Sequence, residues 1–230
     1  MSSRNAIDFH NDIAARFDQK YESSPAFRDR FQVWTTLFDR YIRQTDQVMD
    51  MGCGSGIFSN YLAEKGCRVT GIDGSPAMIK LCNEKKTSPN VQYIRQSLPV
   101  DDLAVYQQQD AIVLSSVLEY IDPMAPLIQQ VRTLLKPNGI LFVSIPNSLS
   151  VYRRVERIIF QLTGQPAYVG HIRNRSTEAV LTQELSQWEF DVLETVYLSN
   201  HDPISRLLKP LLARQYVNNL FIMVCRKRNT

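Results

Sequence analysis

Apolar residues recur along this chain with two different periods, and the change from one to the other outlines the fold. Phe9, Ile13, Phe17 and Tyr21 fall on every fourth position, the stripe of an N-terminal helix. After Pro25 a second helical stripe runs through Phe31, Trp34, Phe38 and Ile42. From there short apolar runs alternate with helical stretches. Gln47 to Asp50 reads as a strand, Ile57 to Lys65 as a helix and Cys67 to Ile72 as a strand; Pro76 to Lys85 reads as a helix with proline at a favoured first position. Further strands are expected at Val91 to Ile94, Asp110 to Ser115 and Ile140 to Ile145, with a helix from Met124 to Leu135 that Pro137 and Gly139 stop. This alternation implies βαβ units and a parallel sheet. The tail departs from it. Thr177 to Gln187 reads as a helix, Phe190 to Leu198 as a strand, and Leu220 to Cys225 as a strand with no helix just before it, which can therefore run antiparallel.

The expected fold is α/β, a doubly wound, seven-stranded, mostly parallel sheet with N-terminal helices. A small cap is expected from two inserted segments, Ser148 to Arg175 and Asn200 to Tyr216. One domain spans 1–230 on this reading: a helical lid at 1–44, a ligand-binding core at 45–147, the cap and sixth strand at 148–216, and the last strand at 217–230.

Composition narrows the function classes. Apolar residues make up 44% and charged residues 21% of 230, an ordinary globular balance. The net charge of +3 is too small to suggest nucleic acid as a partner. No run approaches the ~20 apolar residues of a membrane span, and Met1 to His10 lacks the apolar core of a signal peptide, so a cytoplasmic protein is expected. Cys53, Cys67, Cys82 and Cys225 form no C-x-x-C pair. No metal site is expected, and the thiols read as reduced and buried.

The chemistry concentrates in Val48-Met49-Asp50-Met51-Gly52-Cys53-Gly54-Ser55-Gly56, which follows a strand and opens a helix. Glycines there let the backbone turn tightly and approach a ligand, and free N–H groups at the helix start can meet its polar atoms. A dinucleotide fingerprint is G-x-G-x-x-G, with the helix start on a pyrophosphate. Here the spacing is G-x-G-x-G, and Ile57 takes the place of the third glycine of that fingerprint. Asp50 just before the loop would repel a pyrophosphate and suits a cationic ammonium group. Asp73 ends the second strand about twenty residues further on, the offset of a ribose-binding acid. Together the two acids describe a nucleoside that carries an amino acid instead of phosphates.

With these residues the chain resembles the class I methyltransferases that depend on S-adenosylmethionine (SAM), over about residues 45 to 147. The resemblance implies a Rossmann-like methyltransferase fold and SAM as cofactor. Asp50, Gly52, Cys53, Gly54 and Gly56 would line its methionine part and Asp73 its ribose, with Gly74 and Met78 beside it. Ser97 and Leu98 would edge the adenine; many relatives carry aspartate where Ser97 stands. The stretch Leu114 to Ile121 resembles the segment after strand four that faces cofactor and acceptor, which brings in Ser115. Leu135-Lys136-Pro137-Asn138-Gly139 resembles the turn before strand five, and Tyr21 lies where relatives bring an aromatic over the methionine end. The implied group is the small-molecule type, similar to the quinone-biosynthesis O-methyltransferases.

On the acceptor side His171 and Tyr120 are the candidate catalytic residues. His171 lies where relatives often carry a histidine near the acceptor, and Tyr120 stands where they often have histidine after the glutamate, here Glu119. That departure argues against a metal held by a Glu-His pair. His10 and His201 read as structural or exposed. Val151, Val155, Ile158, Ile159 and Leu162 share one helical face with Arg153, Arg154 and Arg157 off it, and Ile204, Leu207, Leu208, Leu211 and Leu212 repeat the spacing until Pro210 breaks it. These pieces read as packing over the sheet edge, as a lid, as a basic and apolar surface that touches membrane weakly, or as an Arg cluster for an anionic acceptor. The expected activity is methyl transfer from SAM to oxygen or nitrogen of a small molecule. A non-catalytic SAM-binding module and an NAD(P)-dependent oxidoreductase are the alternatives, and the oligomeric state is open.

Overall fold

The computed structural model describes residues 7, 8, 11, 12 and 23–229. Phe9, Ile13, Phe17, Tyr21 and His10 therefore lie outside the described residues, while 7, 8, 11 and 12 are helical. Helix α1 (Pro25–Tyr41) opens on a proline, whose fixed φ suits a first turn, and its stripe buries Trp34, Leu37 and Phe38. Then come β1 (Gln47–Met51), α2 (Ile57–Glu64), β2 (Arg68–Asp73), α3 (Pro76–Glu84), β3 (Val91–Arg95), β4 (Gln109–Leu114), α4 (Ala125–Leu134), β5 (Leu135–Pro146), α5 (Val151–Thr163), α6 (Glu178–Gln187), β6 (Phe190–Leu198), α7 (Pro203–Leu208), α8 (Arg214–Val217) and β7 (Leu220–Lys227).

The seven strands form one sheet in the order β3-β2-β1-β4-β5-β7-β6. β1 to β5 pair in parallel, and β7 lies antiparallel between β5 and β6. The last strand thus runs against the others, as its approach without a preceding helix allows. β5 starts at Leu135, five residues ahead of the expected Ile140. Leu135 bridges Gln109, the register then shifts, and Lys136 to Gly139 are spliced in as a bulged turn with Asn138 at φ +61°.

Side chains alternate across the sheet and build a core on each face. Met49, Met51, Ile72, Ile112, Leu114, Leu141 and Val143 meet α4 and α6 residues such as Leu127, Val131 and Leu185. Val48, Val69, Val113, Phe142 and Ile222 meet α1 and α2 through Trp34, Phe38, Phe58 and Leu62. Phe38 touches Phe142 and Phe58 edge-on, at 5.2 and 5.7 Å between ring centroids. Strand order reverses direction between β1 and β4. In open α/β sheets the crevice at the strand ends there is where ligands sit.

The cap grows from that same end. Asn147, just past β5, donates from Nδ2 to the Gln215 and Asn218 carbonyls at 2.6 and 2.8 Å. Ser150 caps α5 by accepting from Arg153 N–H and donates to Asn219 at 2.6 Å. Gly164 ends α5 in the left-handed region.

Candidate active site

The glycine loop occupies the turn from β1 to α2. Gly52 and Gly56 sit at φ +75° and +78°, where an L side chain is strained. Space forbids one as well: a Cβ on Gly52 would lie 2.5 Å from Val117 Cγ2, and one on Gly56 2.6 Å from Tyr93 Oη. The loop is tied to β2, because Gly52 and Cys53 N–H both donate to the Ile72 carbonyl at 2.7 and 3.0 Å.

Asp50 points from β1 toward α2, where Ser59 Oγ donates to its Oδ2 at 2.6 Å. It is 1% exposed and its Oδ1 has no partner. Burial pushes its carboxyl up to about 7, against the pull of the Ser59 hydrogen bond, with the Asp73 charge adding to the rise. Such a group gains most from a cation that arrives with a ligand. Asp73 accepts Gly54 N–H at 3.0 Å on Oδ2 and Ser75 N–H at 2.8 Å on Oδ1. Each oxygen keeps a further acceptor position, while burial holds this carboxyl above its ordinary range too.

The other expected ligand residues gather here. Gly74 lies beside Ser97, which is exposed, and Leu98 is half-buried. Met78 is buried and donates its N–H to Ser75 Oγ at 3.2 Å. Cys53 is buried next to Cys82, whose thiol donates to the Gly54 carbonyl at 3.1 Å, and the four cysteines are free and buried. Cys82 first, then burial, push the Cys53 thiol upward. The N-terminal residues lie across this turn. Ile7 packs over Gly74, and Asn11 Oδ1 accepts from Ala77 N–H at 3.0 Å and Ser75 Oγ at 3.2 Å.

Beyond β4 the chain builds a second polar group. Arg30, on α1, donates to Ser115 Oγ at 2.6 Å and Ser116 Oγ at 3.0 Å. Glu119 is 4% exposed, and its Oε2 has no partner. Burial pushes its carboxyl up to about 7, with Arg30 pulling the other way. Its backbone carbonyl accepts from Arg173 N–H at 2.6 Å and Asn174 N–H at 3.2 Å, and Asn174 Nδ2 donates to the Leu118 and Ile121 carbonyls. The segment before α6 therefore clamps the turn that carries Glu119.

Tyr120 is half-buried in that turn; burial, then Glu119, push its phenol upward while Arg153 and Arg30 oppose them. His171 ends the short turn Ala167–His171, half-buried on the cap side. His201 is paired with Asp29 at 3.3 Å. Arg153 of α5 donates to Glu156 at 2.7 Å and to Tyr168 Oη at 3.1 Å, and Tyr168 hydrogen-bonds Glu156. Burial lowers the Arg175 cation, with Arg157 and Arg153 adding to the effect. Arg30 and Ser59 are the site residues that the sequence reading does not mark, whereas Ser116 lies in the Leu114 to Ile121 stretch and Arg153 in the Arg cluster. The only hint for Arg30 was a basic residue flanking the apolar stripe of α1.

Comparison with known proteins agrees with this geometry. A methyltransferase-domain family profile matches residues 26–195, well over half of the chain. The ubiquinone biosynthesis O-methyltransferase of Xanthomonas campestris is 38% identical over 104 residues, 44% of this chain and 43% of that protein. The protein of the same name from Bordetella pertussis is 31% identical over 135 residues, 58% and 54% of the two chains. The chain thus aligns with about half the length of these relatives. The N-methyltransferase NodS of Bradyrhizobium japonicum, solved with S-adenosylhomocysteine, superposes with TM-score 0.66 at 19% identity, covering 98% of this chain and 100% of that one. A sheet of this order, an acid-flanked G-x-G-x-G cradle with an unsatisfied carboxylate oxygen beside it, and the profile match lead to one assignment: the chain belongs to the class I SAM-dependent methyltransferases, with S-adenosylmethionine as cofactor.

Proposed function

We propose that the protein transfers the methyl group of SAM to an oxygen of a small-molecule acceptor, and that Glu119 takes the acceptor's proton. SAM, when bound, supplies a methyl group on a sulfonium centre that needs no help to leave. The chain's residues hold it, align the acceptor and exclude water. Asp50 Oδ1 would accept from the methionine ammonium, and the loop Gly52, Cys53, Gly54 and Gly56 would carry the carboxylate end. The open acceptor positions of Asp73 would take the ribose hydroxyls. Gly74, Met78, Ser97 and Leu98 would line the adenine side, with Ser115 toward the methyl group and Tyr21 covering the methionine end.

The acceptor would lie between the Ser115 to Tyr120 turn and the cap, with Tyr120 orienting it and His171 lining the far wall. Oxygen is favoured because an alcohol or phenol must lose a proton on methylation, for which a neutral amine needs no base. The observation that carries this reading is the buried, unpartnered Oε2 of Glu119 beside Arg30. The names of the curated relatives support it as well.

The test is Glu119→Gln, assayed by S-adenosylhomocysteine release against a panel of phenols, acids and amines. Expected are a kcat lower by about 100-fold or more, SAM affinity within twofold of wild type, and loss of the rise in kcat as pH passes about 7. Full turnover by the variant, or activity on amines alone, would overturn the reading.

A further inference from the structure

Helix α5 is built inside out. A surface helix ordinarily turns its apolar stripe to the core and its charges to water. In α5 the buried residue is Glu156, held with Arg153 and Tyr168 on the protein side. The apolar stripe faces outward: Ile158 is 54% exposed, Ile159 46% and Leu162 81%. α5 packs against α7 and α8, and Leu207 on α7 and Leu211 in the turn after it are 74% and 75% exposed, with Leu212 exposed beside them. Two cap elements that pack together thus leave large aliphatic side chains in water. Such patches are kept where something apolar covers them.

Charge identifies the cover. Residues 151–163 and 203–217 carry six Lys and Arg against one carboxylate, Glu156, which is buried and paired to Arg153. Since the whole chain has a net charge of +3, the rest of it is left with −2. Arg154, Arg157, Arg206, Lys209 and Arg214 are exposed around the leucines, and none is ion-paired with a carboxylate among the described residues. A second copy of this face would set five cations against five, which is costly. Aliphatic side chains ringed by Arg and Lys match an anionic bilayer surface, where the leucines enter the acyl boundary and the cations meet headgroup phosphates. No helix among the described residues is long and apolar enough to cross a membrane, so this is contact with a surface.

We propose that the α5–α7 face docks the protein on anionic lipid bilayers. The opposite side of α5 holds Arg153, which acts electrostatically on Glu119 and Tyr120. One helix therefore separates the lipid-facing patch from the acceptor turn. The docking stands whatever atom is methylated.

The full chain is sedimented with vesicles of phosphatidylcholine alone and with vesicles that also contain phosphatidylglycerol. Expected is partition at least tenfold stronger onto the anionic vesicles, weakening as salt rises. Leu162→Gln with Leu211→Gln should lower it about tenfold or more, and Arg154→Glu with Arg157→Glu should abolish the preference for anionic lipid. All four positions are exposed, so folding and SAM affinity should match wild type. Equal partition of wild type and the leucine variant, or no binding to anionic vesicles, would overturn the proposal. So would a concentration-dependent dimer, seen by analytical ultracentrifugation, that dissociates in the leucine variant: the patch would then cover itself.

Discussion

Two aspartates near the glycine loop share a carboxylate's chemistry and differ in how well each is satisfied. Asp73 has backbone N–H donors on both oxygens, whereas Asp50 has one hydroxyl and an empty oxygen. Asp73→Ala should weaken SAM binding roughly ten- to hundred-fold, the value of a lost hydrogen-bonded partner, about 1–3 kcal/mol, as read by calorimetry. For Asp50 the expectation concerns pH. Its carboxyl is pushed up to about 7 in the protein alone, and an ammonium beside it favours the ionised form. SAM affinity should therefore rise between about pH 6 and 7.5, and Asp50→Asn should flatten that rise; a slope unchanged in the variant would assign it to another group. Both acids were legible in the sequence because motif spacing marks them, Asp50 just before the loop and Asp73 at the end of the next strand. Arg30 was not, since its partner Ser115 stands 85 residues away in the chain. Nothing local marks a surface cation that folds inward.

At the scale of elements, most strands and helices could be read from periodicity to within one or two residues, and β6 without error. What periodicity cannot supply is direction. The stripe on α5 reads as one apolar face, and a stripe says that a helix has two sides without saying which one the protein takes. Packing over the sheet edge was the ordinary expectation, and the burial of Glu156 reverses it. The bulge at Lys136 to Gly139 escaped for a similar reason, because Pro137 and Gly139 signal a turn whether or not the turn joins the ladder. The β1–α2 turn offers the cleanest test at this scale. Gly52→Ala meets two obstacles, the positive φ and Val117 Cγ2. The first alone costs about 1–2 kcal/mol. The melting temperature should fall and SAM binding weaken. Adding Val117→Ala should restore only part of the loss, because the backbone strain stays.

Across the whole molecule, two of the buried carboxyls among the described residues, Asp50 and Glu119, are each raised to about 7 from an ordinary value near 4. Both bind their protons more tightly folded than unfolded, so stability should fall as pH rises from about 4 to about 7 and level off above. The exposed carboxylates Asp39 and Glu194 are shifted downward by Lys65 and Arg40, and their small contribution is lost only as pH drops below the usual carboxylate range. Thermal melts should thus peak at about pH 4, and added SAM should raise the melting temperature more at pH 7.5 than at pH 5.5. A melting temperature that climbs steadily to pH 8 without ligand would contradict both assignments.

The placement of β7 has a consequence for how the chain is made. Among the strands, β6 touches only β7, and β7 follows it in sequence. A ribosome that has just released Leu198 has delivered a strand that still lacks a neighbour in the sheet, while β1 to β5 and the nucleoside cradle are already complete. Some twenty residues later Leu220 to Cys225 slide in between, every one of them buried, and fasten both neighbours at once. The ligand crevice can form early in synthesis, but the cap beside it waits for the final strand.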